Sequence, residues 1–190
     1  METATNRLAA GCLTGLALAA GSCGASGAGR AGALAALHAS APPANWAVAR
    51  IGAGAALYYP PGWRLAAGDA GTATAVLTDA RRQLVGYLNL TPRQGSETLS
   101  DWASFRVAPN VAEGDRDVKR EAVAYGVGFR TGTATCVRDS YTTVSRARFI
   151  ELACIVRGTR ATSVIVGAAP PRAWALTSPL LYRAISAVVT

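Results

Sequence analysis

The sequence predicts an α+β sandwich, with helices packed on one mostly antiparallel sheet of six or seven strands. Three observations lead there. Short runs rich in Val, Ile, Leu, Tyr and Thr recur from residue 46 onward, most of them ended by Pro, Gly or a charged turn. Only two stretches, near 99–107 and 178–188, carry apolar residues at helical spacing. Two cysteines in the β-rich half, Cys136 and Cys154, fall where a single hairpin would oppose them.

Taken in order, residues 46–51 and 56–59 read as short strands. Pro60-Pro61-Gly62 makes a turn, followed by Trp63 and Leu65. Residues 72–78 are β-prone and stop at the polar turn Asp79-Ala80-Arg81-Arg82. Residues 84–91 form the next strand, which ends at Pro92. A helix fits 99–107, because Leu99, Trp102, Ala103 and Val107 share one face and Thr98 and Asp101 sit at capping-box separation. Trp102 and Phe105 are assigned to core packing, and residues 109–117 to an acidic-leaning loop. The strand at 119–130 is broken by Gly126 and Gly128, the mark of a bulge or a close backbone approach. Residues 131–143, 148–157 and 162–168 complete the strands. A last helix is expected with Ser178 as N-cap and Pro179 at its first position, burying Leu180, Leu181, Ala184, Ile185 and Val188.

The cysteines mark the compartment. A pair in an exported domain reads as a disulfide. If residues 131–143 and 148–157 form a hairpin centred near Ser145, opposed residues have numbers summing to 290, and Cys136 with Cys154 satisfies this. Ile150, Leu152, Cys154 and Val156 alternate onto one face, which turns the bridge toward the core. The same register opposes Asp139 and Glu151, an unfavourable like-charge pair that a bulge near the turn would relieve. Two Cys without a His in the domain do not complete a metal shell, so no metal and no cofactor are expected.

Export is read from the first residues. The uncharged run 8–22 follows Arg7 and is too short to span about 30 Å of hydrocarbon, which takes roughly 20 residues. It ends in Leu18-Ala19-Ala20-Gly21-Ser22-Cys23, small residues before a thiol that accepts a diacylglyceryl group. The reading is a lipoprotein signal over 1–22 with lipidation at Cys23; Cys12, inside the run, is the poorer acceptor. The alternatives are an ordinary signal cut after Ala17-Leu18-Ala19, which makes the protein secreted and soluble, or an uncleaved anchor. Residues 23–45, almost all Ala, Gly, Ser and Pro, read as a flexible tether, with Leu34 and Leu37 its only large apolar side chains. His38, the one histidine, lies there. The domain is assigned to 46–190, a single unit with no internal repeat.

The whole chain holds 19 Lys+Arg and 11 Asp+Glu; leaving out Arg7, Arg30 and Glu2, the domain keeps 17 and 10, a net charge of +7. Such a surface beside a membrane suits anionic lipid heads, wall polymers or an acidic protein. Export argues against nucleic acid.

Three stretches together resemble the PsbP-like superfamily: Tyr58-Tyr59-Pro60-Pro61-Gly62-Trp63; Ile150-Glu151-Leu152-Ala153-Cys154-Ile155-Val156-Arg157-Gly158; and Val164-Ile165-Val166-Gly167-Ala168-Ala169-Pro170-Pro171, followed by Trp174 and Leu180-Leu181. The resemblance implies an α/β/α sandwich with an antiparallel sheet, and a non-catalytic adaptor that binds larger protein assemblies. It carries over no functional residues.

Catalysis finds little support. A domain without His excludes Ser-His-Asp and Cys-His sites, and neither a Gly-x-Ser-x-Gly elbow nor a phosphate loop with its Lys occurs. No catalytic residue is assigned. The expected function is a lipid-anchored envelope module that binds or scaffolds a protein partner on the extracytoplasmic side. A second reading is a carrier or sensor of a small or anionic ligand, held in a cleft lined by Tyr58, Tyr59, Trp63 or Trp174. The remaining one is a hydrolase using a serine or the Asp139–Glu151 pair.

Overall fold

The computed structural model describes residues 32–190, so Cys12, Cys23 and the signal segment lie outside the described residues. A two-stranded ribbon, β1 (Ala47–Arg50) with β2 (Ala56–Tyr59), precedes the main sheet. One meander follows: β3 (Arg64–Ala66), β4 (Ala73–Thr78) and β5 (Leu84–Pro92). A second comprises β6 (Arg116–Phe129), β7 (Gly132–Thr142), β8 (Arg148–Gly158) and β9 (Thr162–Ala169). Pairing of β5 with β9 joins them into seven strands, all antiparallel, in the order β3-β4-β5-β9-β8-β7-β6.

Side chains alternate across a strand, so each face of the sheet carries its own core. On one face, α3 (Pro171–Ser186) sets Leu181, Ala184 and Ile185 among Leu88, Leu90, Leu152 and Ile165. On the other, α1 (Trp102–Phe105) lays Trp102 and Ala103 over Val137, Ala153, Ile155 and Val166. The layers are α/β/α, as expected, but very unequal. Sixteen residues of α3 cover one face, whereas α1 has four residues and its successor α2 (Val107–Ala112) six.

The β7–β8 hairpin has the predicted register. Cys136 opposes Cys154 with Cα atoms 4.1 Å apart, and the two are disulfide-bonded within the α3-side core. The bulge expected near the turn is absent: pairing runs unbroken from Gly132↔Gly158 to Thr142↔Arg148, leaving Asp139 directly opposite Glu151. The predicted β6 bulge is present, with a register shift between Ala124 and Val127 and Gly126 at φ +65°. Replacing both cysteines (C136A/C154A) is expected to destabilise the domain by about 3 kcal/mol, through the looser unfolded chain. That lowers the melting temperature by about 6–12 °C, a shift calorimetry would read directly.

Several boundaries differ from the sequence reading. Residues 98–101 make the reciprocal capping box, with Thr98 N–H on Asp101 Oδ1 at 2.6 Å and Asp101 N–H on Thr98 Oγ1 at 3.3 Å. The helix they start divides into α1 and α2. Pro109 falls in the first turn of α2, where its missing N–H is not needed, so much of the expected loop is helical. Phe105 is not in the core: it is 38% exposed and stacked on Trp102 with centroids 6.0 Å apart. The last helix begins at Pro171, not Ser178, because Pro171 already supplies the preset φ of a first helical position. Pro179 lies inside it, tolerated by the burial of Leu181 and Ile185 beyond. Thr177 packs with Trp63 over Gly86, where a Cβ would meet Trp63 Cη2 at 2.7 Å.

Part of the stretch read as a tether packs on the domain. Leu34 and Leu37 are buried in the α3-side core, and the Tyr182 hydroxyl donates to the Ala33 carbonyl. Two leucines spaced three apart suffice to dock an otherwise featureless segment, since each removes apolar surface from water.

Candidate functional site

The thinly covered face of the sheet holds a groove of about 680 Å³. Its floor comes from alternate residues of two paired strands: Tyr87, Asn89 and Thr91 of β5, and Val164, Val166 and Ala168 of β9. The segment crossing from β5 to β6 supplies one wall, with Trp102, Phe105 and Arg106 at the α1–α2 junction and Glu97 before it. Tyr141 and Phe149, opposed across the β7–β8 hairpin with rings 6.0 Å apart, close one end. The groove exists because α1 is short. Trp102 reaches the sheet, where its indole N–H donates to the Ala153 carbonyl at 3.0 Å, and beyond that turn the sheet is left bare.

A buried charge cluster lies at one end of this floor. Glu151 is 1% exposed, yet three donors hold it: Arg106 Nε on Oε1 at 2.6 Å, Arg106 Nη2 on Oε2 at 2.8 Å, and the Tyr141 hydroxyl on Oε2 at 3.2 Å. A bidentate guanidinium with a third donor is the arrangement that lets a carboxylate leave water. Burial alone would disfavour the Arg106 charge, but the Glu151 carboxylate outweighs it and raises the Arg106 pKa. Burial, reinforced by Glu151, also raises the Tyr141 pKa, so this phenol stays protonated and donates.

Asp139, across the hairpin, is fully buried, and both of its carboxylate oxygens lack a hydrogen-bond partner. Its pKa is pushed up to about 8, first by burial and then by the Glu151 charge, with Arg106 opposing. The like-charge conflict seen in the sequence is therefore resolved by chemistry: Arg106 neutralises one partner, and protonation neutralises the other near neutral pH. Asp139 shares the α1 face of the sheet with Glu151 but does not line the groove.

The four aromatics singled out from the sequence do not gather here. Tyr58 and Tyr59 sit half-buried on β2, paired with Val48 and Ala47. Trp63 is 5% exposed inside the α3-side core. Trp174 lies on α3 with the Arg138 guanidinium 5.2 Å over its ring. None of them lines the groove. Its aromatics are Tyr87, Trp102, Phe105, Tyr141 and Phe149. One signal for the cluster was present in the sequence: Arg106 stands four residues after Trp102, on the helix face that must meet the sheet.

Among the described residues, no group of three or more His, Cys, Asp or Glu is placed to hold a metal. No helix there is long and apolar enough to cross a membrane.

Unequal helical layers on a meandering antiparallel sheet define the class, and the chain has a PsbP-like fold. The solution structure of cyanobacterial PsbP (CyanoP) from Synechocystis sp. PCC 6803 aligns at a TM-score of 0.57 and 13% identity, over 78% of this chain and 94% of that one. A protein of unknown function from Pseudomonas aeruginosa, PA94, aligns at 0.51 and 11% identity, over 77% of this chain and 97% of that one. LpqN, involved in cell envelope biogenesis of Mycobacterium tuberculosis, reaches a TM-score of 0.46 at 15% identity, too distant in shape to inform the comparison. No protein-family model matches the sequence, and no curated protein does. At these identities the likeness concerns the fold alone.

Proposed function

We propose that this chain is an exported, lipid-anchored, non-catalytic binding module on the extracytoplasmic face of a cell membrane, and that it recognises its partner or ligand through the groove on the α1 face. One observation carries the reading. A concavity of about 680 Å³ with five aromatic side chains converges on a small set of polar groups, the usual form of a recognition site. The charged groups at its floor are paired with one another, since Arg106 binds Glu151 through Nε and Nη2 and Tyr141 donates to the same carboxylate. That serves fixed geometry better than proton transfer. The anchor rests on Cys23 with its small-residue approach, and the compartment on that signal together with the bridge between Cys136 and Cys154.

Two measurements test it. The mass of the membrane-extracted chain is expected to match a start at Cys23 carrying a diacylglyceryl group; a lipid-free chain removes the anchor. A photo-crosslinking residue at Phe105, on the groove wall, is expected to give a dominant adduct in cells. The same residue at Leu176, which is 84% exposed on α3, should not. Equal adducts from both positions would discard the groove as the recognition site.

A further inference from the structure

The groove reverses the charge of the chain that carries it. The whole chain has a net charge of +8. The groove is lined by three carboxylates, Glu97, Glu113 and Glu151, against one guanidinium, Arg106. The Arg106 charge is already paired, because Nε and Nη2 both bind Glu151, which leaves only its remaining Nη donors on a side chain that is 20% exposed. An anionic ligand, one of the expectations from the basic composition, therefore meets a net negative lining whose one guanidinium is already paired with Glu151.

Glu97 is the second observation. It is 4% exposed; Oε1 accepts the Gln94 N–H at 2.9 Å, while Oε2 is buried with no hydrogen-bond partner. A carboxylate oxygen out of water without a donor is costly to leave as it is, and a cationic donor satisfies it best. Gly95 carries no side chain to crowd this oxygen, which a Cβ there would approach to 2.9 Å. The surrounding rings add to the same preference, since the faces of Trp and Tyr attract a cation within about 6 Å. At physiological ionic strength the Debye length is about 8 Å, so the basic surface elsewhere does little to cancel this local field.

With the groove as the recognition site, we infer that its ligand is an organic cation: an N–H-bearing ammonium group on an apolar body, held by Glu97 and the aromatic walls, with Glu113 at the rim.

The test uses the ¹⁵N-labelled full chain in detergent, titrated separately with benzylammonium, benzyl alcohol and phenylacetate while the Trp102 indole N–H is followed. The cation is expected to bind at least about tenfold more tightly than the neutral or the anionic probe. Glu97→Gln should weaken it by about tenfold. Glu113→Gln, at an exposed position that leaves folding intact, should weaken it by about two- to threefold. Equal or tighter binding of benzyl alcohol or phenylacetate overturns the cation assignment while leaving the groove as a binding site. Unchanged affinity in both variants does the same. If none of the three probes shifts the Trp102 signal up to its solubility limit, the groove reading falls together with the cation.

Discussion

Arg106→Met is expected to destabilise the domain by about 3–5 kcal/mol, the cost of breaking a buried ion pair from one side. The reason is what it leaves behind. Glu151, 1% exposed, would keep only the Tyr141 hydroxyl and would face Asp139 across the hairpin without a counter-charge. Arg106 also ties the α1–α2 junction to the sheet, so the groove wall should loosen with it. Glu151→Gln should cost less, because it removes the buried charge and leaves Arg106, with a side chain 20% exposed, able to reach water. The double variant R106M/E151L should recover most of the loss. Urea denaturation of the three variants decides the matter: a single R106M loss below about 1 kcal/mol would mean that the pair is solvated like a surface bridge.

Asp139 makes stability fall as pH rises. In the folded chain its pKa is about 8, against an ordinary 3.8. Between those values the native state holds a proton that the unfolded state has released, so folding is favoured by acid across that window. Below about pH 4 the carboxyl is neutral in both states and contributes no slope; above about pH 8 it is ionised in both, and the penalty is complete. The largest slope one such group gives is about 1.4 kcal/mol per pH unit. Asp139→Asn should remove it, matching wild type near pH 4 and exceeding it by a widening margin toward pH 8. Denaturant midpoints at four or five pH values measure this. Parallel curves for the two proteins would show Asp139 already ionised near neutrality, stabilised by something other than its proton.

These effects converge on two residues whose opposition was legible beforehand. A centre at Ser145 fixes every β7–β8 pair, and Cys136 and Cys154 confirm it because only directly opposed strand positions come that close. A mostly antiparallel sheet, the β6 bulge and the capping box at Thr98 were legible for the same kind of reason, since each rests on local spacing or on one residue's backbone preference; that 47–50 and 56–59 pair apart from the main sheet, and that 64–66 joins it, was not. Helix ends were less so. Pro179 is preorganised for a first position, but so is Pro171, and only the packing of Ala173 and Thr177 on the sheet selects the earlier start. Leu34 and Leu37 looked idle in an Ala/Gly segment, because burial there depends on a surface formed by residues more than a hundred positions away, such as Tyr182.

The architecture and its covalent staple follow from the chain alone, because alternation, turn residues and cysteine register are local properties that neighbours along the chain enforce. Where the groove lies was decided only in three dimensions. Tyr58, Tyr59, Trp63 and Trp174 were conspicuous in the chain, but the groove drew on five other aromatics from the β5, β7–β8 and α1 regions. The physical reason is unequal cover: α3 spans its face of the sheet, while α1 ends after four residues and leaves the opposite face partly bare. An overall charge of +8 gave no hint of a groove of the opposite sign, because net charge sums the whole surface and a ligand meets only the side chains that folding brings together.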